Sequence, residues 1–229
     1  MSIDALDLPD GPSATIAAGT RPGRSRPRAD RRQQLIDATI RSIADFGLTG
    51  TTIAKVSLIA GTSIGLANFH FDTKERLLEA TLRHLADKQR VFWSGRFLDQ
   101  GLGLTDRLVA LVESRFDAQV CDPDTLAVWF AFWGDASARV IYRRVVAHAD
   151  DERLYAAEAI LAGLYAKTGQ TDTDTMEMAL AVEAYFDGLW LNMLLYPDDF
   201  GRLDCQKRAL DFVAALFPGE VLRPAGPAA

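Results

Sequence analysis

Trp129 and Trp133 stand four residues apart in LAVWFAFWGDA (126–136), so on a helix they share one face. Phe130 and Phe132 lie on either side of that face. In FDGLWL (186–191), Asp187 and Trp190 are three apart and can likewise act together. Tryptophan faces plus a carboxylate are what a quaternary ammonium or other organic cation needs: cation–π attraction and charge neutralisation in a partly dry pocket. Phe116, Tyr142, Tyr155 and Asn192 are further candidates for its walls. Asp135 either turns the preference towards a protonated amine or simply pairs with Arg139. A helical core or a dimer interface would use the same tryptophans, so the spacing leaves those readings open.

A second set of chemistry-bearing residues falls in TTIAKVSLIAGTSIGLANFHFDTK, from Thr51 to Lys74. Two short helical patterns meet at Ala60-Gly61, and Thr62 or Ser63 can cap the second. This describes a helix-turn-helix, whose second helix can enter a DNA major groove. Ser63, Ile64, Ala67 and Asn68 would face base edges or the adjacent backbone, and Ile64 or Ala67 could touch a thymine methyl. Gly65 allows close approach of the backbone to DNA or to a neighbouring helix. Thr52 at a helix start, His70 and Lys74 suit phosphates. Leu66, Phe69 and Phe71 are expected to pack the small domain instead.

The elements that position these residues are all helical. A first helix spans Asp30–Phe46 and ends at Gly47; the next run from 52 to 60 and from 63 to 69. A long amphipathic helix starts at Asp72-Thr73 and continues to about Leu98. Helices follow at about 105–120, 123–137, 139–168, 174–196 and 201–217, punctuated by Asp122-Pro123, Gly169 through Thr173, and Pro197. Residues 1–28 and 219–229 read as a disordered tail and a frayed end. Domain bounds of 29–75 for the reading head and 76–218 for the remainder are expected. Gly188 would let a second helix come close.

The chain has 229 residues with 48% hydrophobic and 24% charged, an ordinary globular balance. Its net charge of −6 is unevenly spread. Residues 21–90 carry 13 Lys/Arg against 7 Asp/Glu, while residues 91–229 carry 12 against 21. A basic front and an acidic back fit a chain whose first part meets phosphate. Arg21, Arg24, Arg26 and Arg28 form either a solubilising linker or an arm following DNA. Cys121 and Cys205 are too far apart in sequence, and the three histidines too scattered, to suggest a disulfide framework or a metal site. No phosphate loop, nucleophile elbow or Cys–His pair points to an enzyme or a cofactor. No apolar run of membrane-spanning length and no signal peptide is read, which implies a cytoplasmic protein.

The order T-x-x-x-V-S-x-x-A-G-T-S-x-G-x-x-x-F-H-F-x-x-K-E-x-L, ending at Leu77, resembles the TetR family of one-component regulators. Ala60, Gly61, Ser63, Gly65, His70, Phe71, Lys74 and Leu77 match that family's usual pattern. Thr62 stands for its usual Val, Ser57 for its usual Ala, and Asn68 for a common phosphate-contacting Tyr. Leu58 and Ile59 occupy positions that are usually polar, implying closer packing of the second helix. RRQQLIDAT, LAVWFAFWGDA and FDGLWL resemble the choline-responsive BetI branch of the family. The resemblance implies an all-α fold with a three-helix DNA-binding head and a helical ligand-binding and dimerisation domain. It further implies a homodimer through the last two helices, a double-stranded DNA operator of palindromic form, and a small-molecule inducer. A helical interaction protein that has lost operator binding is the alternative.

Overall fold

The computed structural model describes residues 28–218. The described residues form nine helices and no strand: α1 (Arg28–Gly50), α2 (Ile53–Ala60), α3 (Ile64–Phe71), α4 (Lys74–Phe97), α5 (Leu104–Arg115), α6 (Pro123–Gly134), α7 (Ala138–Lys167), α8 (Thr175–Leu195) and α9 (Arg202–Leu216). Of the expected arginine arm only Arg28 lies among the described residues, as the first residue of α1; the rest of the tail and the 219–229 end lie outside them.

Caps set most of the boundaries. Thr52, Ser63, Thr73, Asp122 and Asp174 each accept a hydrogen bond from a backbone N–H in the first turn of the following helix. Gly61 closes α2 in the left-handed conformation, at φ 62° and ψ 39°, as the turn requires. Gly47, where α1 was expected to end, is non-helical at φ 67° and ψ 177°, but the chain resumes a last turn to Gly50. Helix α5 is shorter than expected, stopping at Arg115 rather than near 120. Its terminal carbonyls are taken by tertiary donors: Trp190 Nε1 donates to Arg115 O at 2.9 Å, and Arg202 to Phe116 O at 2.6 Å. Helix α6 also ends early, at Gly134, because Asp135 is extended and caps α7 instead.

Two apolar clusters result. The smaller joins Leu35, Ile36 and Ala38 of α1 to Val56, Ala60, Ala67 and Phe71, with Leu77 and Ala80 of α4. The larger fills the helical bundle, and Ile43 and Leu48 of α1 belong to it together with Leu78, Leu82 and Leu85 of α4. Thus α1 and α4 each have one end in either core, and α1 lies along α6 over an extended contact.

Contrary to expectation, α8 is long and apolar enough to cross a bilayer by length and composition alone, with mean hydropathy 1.2. It is nevertheless a bundle helix: Glu183 and Asp187 on it pair with Arg153 of α7 and Arg115 of α5. Its outer face exposes Leu180, Ala181, Ala184, Gly188, Leu191 and Leu195.

Candidate functional site

At the head, α3 is held by Ser63, whose Oγ accepts from Leu66 N at 3.2 Å. Ser63, Gly65, Asn68 and Ile64, the last 51% exposed, face outward as expected. Ala67 does not: it is fully buried in the small core, so it is removed from the base-reading set. Phe69, expected to pack, is instead 66% exposed, with the Arg28 guanidinium 5.1 Å from its ring centre. The two residues trade roles because the buried stripe of so short a helix passes through Ala67 and Phe71. Leu66 is half-buried. Leu58 on α2 is 81% exposed and Ile59 only half-buried, so α2 is not packed more tightly than its length demands.

The phosphate candidates Thr52, His70 and Lys74, and Thr62 of the DNA-binding set, divide. Thr52 is exposed, capping α2 by accepting from Lys55 N. Thr62 turns its hydroxyl into the protein, where Oγ1 is buried without a partner. His70 is half-buried and edge-on to Phe69; burial, then the charges of Arg28 and Arg32, lower its pKa, so its ring is neutral at pH 7. Lys74 is engaged internally, its Nζ donating to Leu48 O at 2.7 Å and tying the start of α4 to the end of α1.

In the bundle, the structure brings together Trp129 and Trp133 of α6, Tyr142 of α7, and Asp187 and Trp190 of α8 around a cavity of about 60 Å³. Tyr142 meets Trp129 and Trp133 edge-to-face, with ring centres 6.1 and 6.0 Å apart. The other ligand candidates lie elsewhere. Phe116 is buried against Phe186. Tyr155 is 63% exposed, and Asn192 is half-buried away from the cavity. Asp135 accepts from Ser137 N, Ser137 Oγ and Ala138 N, which, led by the hydroxyl, lower its pKa; Arg139 binds the Trp133 and Gly134 carbonyls. A carboxylate beside these three donors at a helix start is captured by them before it can face the aromatic box.

Four lining residues were missed in the sequence: Gln89 of α4, Arg115 of α5, and Asp150 and Arg153 of α7. Arg153 is buried between Glu183, with Nε 3.1 Å from Oε2, and Asp150, 3.1 Å away; Asp150 also accepts from the Tyr142 hydroxyl at 2.8 Å. Burial, then the Asp150 charge, raises the Tyr142 pKa, so it remains a phenol. Burial alone would raise Glu183, but Arg153 and then Arg115 hold it below the usual carboxylate range. Arg115 is 3% exposed, ion-paired to Asp187, and its guanidinium carbon lies 3.9 Å from the Trp190 ring centre. Burial raises Asp187 despite that partner. The protein's own cation thus occupies the Trp190–Asp187 half of the expected cage.

A helix-turn-helix head sharing two helices with an all-helical bundle that encloses a polar-aromatic cavity is the plan of a one-component transcriptional regulator. Residues 35–81 match the tetR family of bacterial regulatory proteins, and residues 104–218 match the C-terminal domain of BetI-type transcriptional repressors. The HTH-type transcriptional regulator BetI of Burkholderia thailandensis is 34% identical over 192 residues, spanning 82% of this chain and 94% of that protein. A transcriptional regulator from Pseudomonas aeruginosa PAO1 is 29% identical with a TM-score of 0.71, covering 83% of this chain and 92% of its own. A regulator from Saccharomonospora viridis, solved in complex with choline, is 22% identical with a TM-score of 0.65, covering 81% and 96%. The chain belongs to the TetR family, among its BetI-type repressors, which are transcriptional regulators and not enzymes.

Proposed function

We propose that the protein is a homodimeric repressor that leaves a (pseudo)palindromic operator when a small organic ammonium compound enters the α6–α7–α8 cavity. The observation that carries this reading is the position of α6, which contributes Trp129 and Trp133 to the cavity and lies along α1, the helix that frames the reading head. A ligand that needs the aromatic walls further apart moves α6, and α1 with it. The reading heads of two copies then lose the spacing of successive major grooves, so ligand and operator compete through differential affinity. The exposed Leu180–Leu195 face of α8, with Gly188 open to close approach, supports a two-fold interface there, joined by α9. Ser63, Ile64 and Asn68 are the base readers, with Thr52 at the backbone. The choline-bound Saccharomonospora regulator shares the fold and motivates the ligand class.

The test is fluorescence anisotropy of the purified protein on DNA from upstream of its own gene. Choline, betaine aldehyde and spermidine are added against neutral and anionic controls. Release by ammonium compounds alone is expected; release only by neutral or anionic compounds overturns the ligand class.

A further inference from the structure

The cavity has two ends of opposite character. On one side Trp129, Trp133 and Tyr142 supply aromatic walls for a cation, beside Asp150, which pairs with Arg153 at 3.1 Å but, among the described residues, has no arginine stacked over the rings next to it. On the other, Arg115 already covers Trp190 and pairs with Asp187, so that half cannot receive a second cation without expelling the first. Two buried donors lack an acceptor, Arg115 Nε and Gln89 Nε2, both of residues that line this cavity. Both residues are more than nine-tenths buried. A buried unpaired donor is costly, the more so when charged, so a ligand supplying the acceptor recovers that cost. An anionic oxygen answers a guanidinium roughly twice as well as a neutral one.

We infer that the cavity selects a compact zwitterion. Its ammonium group rests on Trp129, Trp133 and Tyr142 with Asp150 as counter-ion, and its carboxylate accepts from Arg115 and Gln89. This rests on the cation-cavity reading above and narrows it: a bare ammonium alcohol fills one end and leaves the donors without a charged acceptor. The cavity of about 60 Å³ must widen on binding, and that widening is the movement of α6 invoked above.

The test is calorimetry on the full chain with three matched probes: glycine betaine, choline, and 3,3-dimethylbutyrate, which replaces the ammonium nitrogen by carbon. Glycine betaine is expected to bind at least tenfold more tightly than either of the others. In Arg115→Met, which keeps a long side chain over Trp190, that advantage over choline falls to less than twofold. Gln89→Met, the milder change, cuts it severalfold. Choline binding as tightly as glycine betaine to the unmodified protein overturns the zwitterion while leaving the cation cavity standing. Equal losses for all probes in both variants overturn it too. No saturable heat from any probe, with operator binding intact, sinks the cavity reading and this inference together.

Discussion

Arg153→Met tests whether the buried ionic cluster holds the bundle. Arg153 is 8% exposed and donates to Glu183 and Asp150. Glu183 is equally buried and has one oxygen already unpartnered, so losing Arg153 strands a charge that water cannot reach. Removing one member of such a pair costs about 3–5 kcal/mol. At this chain length each kcal/mol moves Tm by about 2–4 °C, so the expected drop is roughly 6–20 °C at pH 7 and fixed protein concentration. The pH dependence gives a second reading. Glu183 is held below its usual range in the intact protein, so its contribution is present above the unfolded carboxylate value and is lost as pH falls through the folded one. In the variant the unpaired carboxyl instead rises and takes up a proton in mild acid, so the deficit shrinks between pH 7 and pH 5. The double change Arg153→Met with Glu183→Leu removes both charges and recovers most of the loss. A drop below about 2 °C at pH 7, or a deficit unchanged at pH 5, would refute this account.

Asn68→Ala is expected to relax discrimination at one base pair by about 1–3 kcal/mol while leaving others intact, read by binding to single-position operator variants. Lys74→Met should weaken binding to all duplexes alike without changing the salt slope, because its ammonium ties Leu48 O. A slope reduced by about one would return Lys74 to a phosphate. Leu180→Glu combined with Leu191→Glu should give a monomer in sedimentation and abolish operator binding; a persisting dimer would move the interface off α8. Cys121, whose thiol burial pushes up to about 12, should resist a disulfide reagent at pH 8 until the chain is unfolded.

The sequence made the helices legible because caps and helical periodicity are local, and Thr52, Ser63, Gly61 and Thr73 stand where those signals pointed. The aromatic half of the cavity was legible for the same reason: Trp129 and Trp133 share a turn. Arg115 and Arg153 were not, because an arginine in an amphipathic run reads as solvent-facing until its partners on α8 are known. Those partners lie 72 residues away for Arg115–Asp187 and 30 for Arg153–Glu183, and no spacing rule reaches so far. Ala67 and Phe69 were exchanged because α3 has only two turns. In so short a helix the residue types at the buried stripe carry little signal, and a large aromatic was taken for the core residue.

Helix α1 belongs to both cores, and this bears on how freely such regulators can exchange parts. A chimera cut after residue 75 would carry Ile43 and Leu48 away from the bundle that buries them and give the new head two bare apolar side chains. The donor bundle would in turn lose the helix lying along α6, leaving that face of α6 uncovered. Recombination that keeps both halves folded has to carry the α6 face along with α1, so reading head and sensor wall are inherited as one piece.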